Sequence, residues 1–482
     1  MSAVGAQRPE VSAEVKQWVA DVTGADTAEF TQVSGGASRQ AWFVDVRRDG
    51  VAEPLFLRYD PRDPDPHSAF HPLQVEAEIM AELHRHGVTV PRVVAAHPER
   101  QAVLLERIGG DTWFRLIKDP GEAVRTAQDF IAKLAALHRI DAAGLDIPRL
   151  GPAGPVAGHV RDEIAAMRRR VDAYAKPAPL LQFCIDWLDR NVPDYDGPTV
   201  LVQGDTGPGN FMYAAGEVTA IVDWELAHFG DPMDDIAWLS LRTVQDTFTD
   251  FPARLGEYAQ LSGHPIDEHR VWYYRLFAET RLASLSPGSV DTRASAPAGS
   301  PDAGNSLIYG MLHRRLLVEA LAHVVGIPEV HVDLPDDDET SEYGHVYQAA
   351  ASALSASVDR TTDTLAARYV KGAARLVKYL AEVDRVGAAV DTDETAELAA
   401  LLGAVPDSVS AGRAALAEAA GRGEISDRDY VTQVWRGIKR DDYLTRTASG
   451  ALSRRTWPPL THPAEQGDRD RCLSQSVTTT AN

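Results

Sequence analysis

Cysteine is nearly missing from this chain: two among 482 residues, Cys184 and Cys472. Two thiols cannot build a disulfide framework or a cysteine-based zinc site, and a reducing compartment fits them. Basic charge is also short, with 48 Lys and Arg against 70 Asp and Glu, a formal charge of −22. Non-specific binding to nucleic acid needs cations that displace counterions from phosphates, so no nucleic-acid partner is expected. An acidic surface can attract a cationic substrate, but its first effect is solubility. No apolar run reaches the roughly eighteen residues of a membrane span. Residues 1–15 are polar and carry Glu10 and Glu14, unlike the apolar segment of a signal peptide. The expectation is a cytoplasmic protein without a membrane partner. Missing too are G-x-x-x-x-G-K-[ST], a G-x-G-x-x-G after a strand, H-E-x-x-H and G-x-S-x-G. P-loop, Rossmann, zincin and α/β-hydrolase chemistry are thereby set aside. What remains is ordinary globular composition, 44% hydrophobic and 24% charged, ample for a sizeable core. The length suggests about three compact units.

The first hundred residues read as strands plus one helix. Strands are expected at 42–46, 55–59, 92–97 and 102–108, the last two joined by a turn at 97–101, with a helix at 73–86 stopped by Gly87. From Asp119 the pattern turns helical, interrupted by a β-rich island at 199–224. Residues 284–305, rich in Ser, Pro, Gly and Ala, read as a mobile loop before a helix at 307–325. The acidic, proline-containing stretch 333–339 is read as a domain boundary. Beyond it helices are expected at 347–389, 394–402, 411–420 and 427–448, the last with Ser426 as N-cap. The tail after Pro459 reads as disordered.

The β-rich island carries the chemistry. A strand ends in Gln203-Gly204-Asp205. Asn210 follows five positions later and opens a short strand. Residues 214–217 turn, and a second strand delivers Asp223-Trp224-Glu225. Such a hairpin brings Asn210 and Asp223 close together, with Asp205 beside them. One carboxylate can orient a substrate hydroxyl and take its proton. An amide oxygen and a second carboxylate can hold Mg²⁺ against nucleotide phosphates, since hard cations take oxygen ligands. Phosphoryl transfer needs this kind of positioning and charge neutralisation more than covalent chemistry.

These residues resemble the catalytic core of the aminoglycoside phosphotransferase and choline kinase-like family, whose pattern is His-Gly-Asp, four residues, Asn, then Asp-Trp-Glu after a strand. The stretch from Val222 to Pro232, with Leu134-Ala135-Ala136-Leu137-His138-Arg139-Ile140-Asp141, is similar to the phosphotransferase domains linked to acyl-CoA dehydrogenases. The resemblance covers about residues 25 to 330. It implies an α+β, bilobal protein-kinase-like fold with a β-rich N-lobe (1–108) and a mainly helical C-lobe (109–332), which the helical periodicity read above extends by an all-α C-terminal domain (340–460) and the tail (461–482). It makes Asp205 the catalytic Asp and Asn210 and Asp223 the Mg²⁺ ligands, with ATP or GTP as phosphate donor and a small-molecule hydroxyl as acceptor, a hydroxyacyl compound or an aminoglycoside-like one. One departure is clear: the family His is Gln203 here. Gln can still donate and accept hydrogen bonds, yet the exchange, with the added helical domain, motivates a second reading as a pseudokinase-like regulatory binding protein.

The N-terminal region fits the same frame. Ser34-Gly35-Gly36-Ala37-Ser38 lies between two strands, where glycines let backbone approach phosphates and Ser34 and Ser38 can donate to them; a Gly-Gly turn can equally just turn. Kinase-like folds pair a cation on a strand with a carboxylate on a following helix. Arg58 is the candidate cation. At about 100° per residue Glu76 falls in the middle of the apolar arc of 73–86, whereas Glu78 and Glu82 fall opposite it. A carboxylate on a buried face needs a cation, so Glu76 is the partner chosen for Arg58. Glu106 and Ile108 lie in the segment resembling the lobe connection, either meeting adenine through backbone groups or forming an edge strand.

Other conspicuous residues read as structural. Asp231 should cap the helix that Pro232 begins, and Asp235 should brace the catalytic loop. Trp224 reads as core, Glu225 as support and His138 as a satisfied histidine. His67 and His71 have i, i+4 spacing, but Pro66 and Pro72 argue against a metal-binding helix. The C-terminal helices could make a homodimer interface, cap the substrate cleft or bind a partner.

Overall fold

A computed structural model describes residues 10–33, 39–65, 68–290, 293, 299–336 and 339–462. The Ser34, Gly35, Gly36 and Ser38 segment, His67, Cys472 and the tail from residue 463 lie outside the described residues, as do 291–292, 294–298 and 337–338. The chain divides into two compact units rather than three. The first comprises residues 1–160, 194–268 and 458–482, the second 161–193 and 269–457.

The first unit opens with a helix that the polar N-terminal sequence did not announce, α1 (Ala13–Thr23), capped by Ser12. Strands β1 (Thr27–Val33), β2 (Gln40–Arg48), β3 (Val51–Tyr59), β4 (Val93–Ala96) and β5 (Ala102–Glu106) form one antiparallel sheet in the order β1-β2-β3-β5-β4. Alternation of Trp42, Val44, Val46, Leu55, Leu57 and Tyr59 gives the sheet one apolar face, which packs on Val11, Val15 and Val19. Helix α2 (Leu73–Arg85) lies against β4 and β5. β5 is an interior strand, so the edge-strand alternative for Glu106 is excluded.

After α3 (Pro120–His138), capped by Asp119, and α4 (Val156–Asp172), the β-rich island resolves into two pairs. β6 (Val200–Val202) pairs with β9 (His228–Gly230), and β7 (Phe211–Ala214) with β8 (Glu217–Ile221). The β7–β8 hairpin turns on Ala215 and Gly216, both at positive φ, the two-residue geometry that matches strand twist. Gly110, at φ +126°, crosses so close to the hairpin that a Cβ there would lie 2.4 Å from the Tyr213 carbonyl oxygen. Helices α6 (Pro232–Gln245) and α7 (Phe251–Ser262) complete the unit, and Asp231 accepts from the Met233 amide at 2.8 Å as the expected cap.

The second unit is all-helical. It holds α4 from residue 161 onward, α5 (Pro179–Arg190), α8 (Glu268–Ser284), α9 (Ala303–Val325), α10 (Gly344–Val358), α11 (Thr364–Leu402), α12 (Val409–Gly421) and α13 (Asp427–Ser449). α8 and α9, which precede the acidic stretch at 333–339, share this unit with the later helices. The described residues of that stretch have neither helix nor strand. Two expected boundaries differ. The expected 347–389 helix breaks at 359–363, where Asp363 caps α11 by accepting from Leu365 and Ala366; α11 then runs unbroken for 39 residues through the expected gap before Glu394. Ser426 caps α13 as expected, accepting from the Asp429 amide at 3.1 Å. No described helix is long and apolar enough to cross a membrane.

A buried ionic cluster organises these helices. Asp441 of α13 is fully buried and accepts from Arg413 at 2.9 Å, Arg314 at 2.6 Å and Arg293 at 2.7 Å. Buried Glu394 of α11 takes Arg413 at 2.6 Å. Burial alone would push the Asp441 carboxyl up, but Arg413, Arg314 and Arg293 outweigh it and hold it well below the usual carboxylate range. The stabilisation is therefore present in full above the ordinary Asp value of 3.8 and is lost as pH falls through the lower folded-state value. Asp441→Ala leaves buried guanidinium groups uncompensated and is expected to cost about 3–5 kcal/mol. Denaturant unfolding of the full chain checks this: a variant as stable as wild type at neutral pH would show that the cluster contributes little.

Candidate active site

Strand β6 ends at Val202, and the next residues leave the sheet in a loop fixed from beneath by α6. Asp235 is fully buried. Its carboxylate accepts from the amides of Gln203 at 2.9 Å and Gly204 at 3.0 Å, from the Thr206 hydroxyl, and from His138 Nε2 at 3.0 Å. Burial pushes the Asp235 carboxyl up, but the hydrogen bond and charge of His138, with those other donors, bring it below its ordinary value. His138 Nδ1 lies 2.6 Å from the Tyr258 hydroxyl, so both ring nitrogens are satisfied, as expected of a structural histidine. Gly204 adopts φ +81°, and a Cβ there would lie 2.3 Å from the Leu226 carbonyl oxygen. Only glycine passes that point without displacing backbone.

The loop delivers Asp205. Asn210 Nδ2 donates to the Asp205 backbone oxygen and to Oδ2, each at 2.7 Å. The Val222 amide donates to the Asn210 carbonyl at 2.9 Å, so the β7–β8 register sets Asn210 beside the end of β8. Asp223 follows at φ +65°, a left-handed conformation that costs a non-glycine residue energy and persists where the surroundings enforce it. The enforcing contact is Gln203: its Nε2 donates to the carbonyls of Val222 at 2.7 Å and Asp223 at 3.1 Å. The residue that departs from the family pattern thus ties the Asp205 loop to the Asp223 turn.

Arg58 and Glu76 meet as expected, Nη1 to Oε2 at 3.2 Å, with Glu76 only 1% exposed. Arg58 also reaches Asp223 at 3.2 Å and Glu225 at 3.5 Å. Residues outside the expected set complete the network. Arg39, at the start of β2, pairs with Glu76 Oε1, donates to the His71 carbonyl and lies 3.7 Å from Glu225. Burial lowers the pKa of Arg39, and neighbouring Arg58 adds to the shift. His71 is a bridging residue rather than a metal ligand: its amide donates to the Glu225 carbonyl at 2.8 Å and its Nε2 to the Ala227 carbonyl at 2.6 Å. Arg242 of α6 grips Asp205, Nε to Oδ1 at 2.6 Å and Nη2 to Oδ2. Burial raises the Asp205 pKa, and the charge of Arg242 opposes that rise.

Two expected placements need correcting or refining. Glu82 is buried, not exposed, because residues 142–149 fold over α2; its Oε1 accepts from the Asp146 amide at 3.0 Å and lies 3.1 Å from His86 Nε2. At the lobe connection the Glu106 amide is spent on the Arg92 carbonyl at 3.0 Å, and its side chain on the Arg92 amide at 2.8 Å. Ile108 lies just past β5 and half-buried.

Arg39 had no sequence signal. Arg242 had one: it stands seven residues after Asp235, two turns along one helix face, and so points at the same loop.

Among the described residues no group of three His, Cys, Asp or Glu could hold a metal ion. Asn210 and Asp223 supply oxygens from an amide and a carboxylate, and the Asn210 nitrogen is already turned to Asp205, which leaves its Oδ1 for a cation. Two such ligands, with phosphate and water completing the shell, suit Mg²⁺ rather than zinc.

Several known proteins resemble this chain. A model described as phosphotransferase enzyme family matches residues 29–272, half of the chain. Acyl-CoA dehydrogenase family member 11 of Rattus norvegicus is 27% identical over 231 residues, covering 43% of this chain and 29% of its own. The human protein of that name is 26% identical over 264 residues, covering 50% of this chain and 33% of its own. The chain thus spans at most a third of these relatives' length. An aminoglycoside 3'-phosphotransferase of Streptomyces fradiae is 26% identical over 288 residues, 55% of this chain and 94% of that protein. A solved Ralstonia eutropha structure, assigned as an aminoglycoside phosphotransferase, superposes with a TM-score of 0.50 at 19% identity, over 65% of this chain and 98% of its own. That last likeness carries the fold.

Gln203→Leu removes the only side-chain donors that Gln203 gives the Val222 and Asp223 carbonyls and is expected to cost about 1–3 kcal/mol. Gln203→His, which keeps a donor, should cost less. Comparing the two melting temperatures checks this, and equal losses would contradict a bracing role.

Proposed function

Because this chain belongs to the phosphotransferase enzyme family, we propose that it moves the terminal phosphoryl group of ATP to a hydroxyl of a small molecule, with the Asp205, Asn210 and Asp223 constellation as its reaction centre. The observation that supports this most is the convergence of those three side chains at the ends of β6, β7 and β8, tied together by Asn210 Nδ2 and Gln203 Nε2.

Asp205 accepts the acceptor's hydroxyl proton and orients its oxygen for in-line attack. Asn210 and Asp223 hold Mg²⁺, which when bound neutralises charge on the nucleotide phosphates. Arg58, fixed by Glu76, donates to the phosphates, and Arg39 fixes Glu76 from its other oxygen. The backbone of Ile108, and the Glu106 carbonyl, meet the adenine. The bonds of Gln203 Nε2 to the Val222 and Asp223 carbonyls weigh against the pseudokinase-like alternative that the exchange of His for Gln had helped to motivate. The acceptor is a hydroxylated metabolite or antibiotic, and a hydroxyacyl compound is the class suggested by the likeness to acyl-CoA dehydrogenase family proteins.

A thermal-shift titration tests the nucleotide site. ATP with Mg²⁺ should raise the melting temperature, by about 2.7 kcal/mol of stabilisation at a hundredfold excess over Kd. Magnesium-free ATP should do less, and Asp223→Ala should abolish the metal-dependent part. GTP serves as the comparison donor. No shift with either nucleotide would sink the proposal.

A further inference from the structure

The grip of Arg242 on Asp205 is not explained by packing. Arg242 stands in the last turn of α6, and its side chain is 22% exposed. Residues of the catalytic loop make room for it. Gly207, at φ +135°, crosses so near that a Cβ would lie 2.8 Å from the Arg242 Cβ. Gly209, at φ +98°, adopts a left-handed backbone that favours glycine, and its position leaves only ordinary contact with the Arg242 Nη1. The loop is held in that path by the Gly209 amide on the Thr112 carbonyl at 3.1 Å and by the Asn210 amide on the Gly207 carbonyl at 3.0 Å.

The consequence is a count of lone pairs. An ionised carboxylate offers about four acceptor sites, two on each oxygen. Asp205 Oδ2 takes Arg242 Nη2 and Asn210 Nδ2; Oδ1 takes Arg242 Nε at 2.6 Å. One site, on Oδ1, remains for an incoming hydroxyl. We infer that Arg242 is the positioning residue of the reaction: its planar two-point grip fixes the Asp205 carboxylate so that a single Oδ1 lone pair faces the acceptor. Lysine has the charge but not the fork, and would hold one oxygen without fixing the plane. The inference rests on Asp205 being the base, with Arg242 acting through it.

Water serves as the acceptor probe, because slow hydrolysis of Mg-ATP asks the same geometry of Asp205. The measurement is steady-state ADP release by the full chain, for wild type, Asp205→Asn, Arg242→Ala and Arg242→Lys, with and without added guanidinium chloride at millimolar concentration. Misplacing a general base forfeits part of a contribution of roughly 10²–10⁴, so Arg242→Ala should lose about 10–100-fold in kcat. KM for ATP should stay within about twofold if Arg242 acts through Asp205 and not on the nucleotide. Arg242→Lys should recover only part of the loss, and guanidinium should raise kcat of Arg242→Ala but not of wild type. A structural role alone would lower the melting temperature and the active fraction without this kcat-against-KM split or rescue. Wild-type turnover in Arg242→Ala, with turnover lost in Asp205→Asn, would overturn the inference and leave the proposed function standing. Faster turnover in Arg242→Ala would overturn it too, since the grip would then restrain the base. Turnover that survives Asp205→Asn, or none in wild type, would overturn the inference and the reading beneath it.

Discussion

The proposed reaction centre depends on carboxylates that cannot be left unpaired. Glu76 is buried on the inner face of α2, and a lone carboxylate there would be costly. Arg39 and Arg58 take its two oxygens and then extend to Asp223 and Glu225. On the other side Arg242 takes Asp205. Glu76, Asp223 and Glu225 with Arg39 and Arg58 thus form one array of ion pairs, and Asp205 with Arg242 forms a separate pair. Because exchange within such an array trades one charge-assisted bond for another, a nucleotide entering the proposed site would not need to expose a buried charge.

The array also explains why the β-rich region and the hairpin stay in register. Arg58 rises from β3, Glu76 from α2, and both reach residues that follow β8. His71 adds backbone bonds to the same turn. Beneath, Asp235 gathers four donors and fixes the Asp205 loop from α6. The same solution recurs in the all-helical unit, where Asp441 and Glu394 are satisfied by Arg293, Arg314 and Arg413. At Glu76 and at Asp441 alike a buried acid recruits arginine, whose fork can satisfy two acceptors at once.

Much of the site could be read from local pattern. The spacing from Asp205 to Asn210 and the hairpin to Asp223 are encoded within about twenty residues, where strand alternation and a two-residue turn leave little freedom. Glu76 was legible because a carboxylate in an apolar arc has to be buried. Arg39 was not, because its partner stands 37 residues away and nothing near it sets a pattern. Glu82 misled for the converse reason: its helix face is polar, yet residues 142–149 cover it, and local periodicity carries no information about which loop folds back. The break between α10 and α11 was missed because alanine continues a helical pattern on both sides, whereas Asp363 ends it by capping. The phosphate-loop assignment to Ser34, Gly35, Gly36 and Ser38 falls outside the described residues.

The central claim is that Asp205 directs transfer of a phosphoryl group from ATP to a hydroxyl. The most direct measurement is to incubate the full chain with Mg²⁺ and γ-³²P-labelled ATP over a panel of hydroxyacyl compounds and aminoglycosides. Labelled products are separated from ATP and inorganic phosphate. Label on a phosphate ester of the acceptor, absent with Asp205→Asn, is the expected result. Label that stays in ATP across the panel, or a phosphate ester formed equally well by Asp205→Asn, would contradict it.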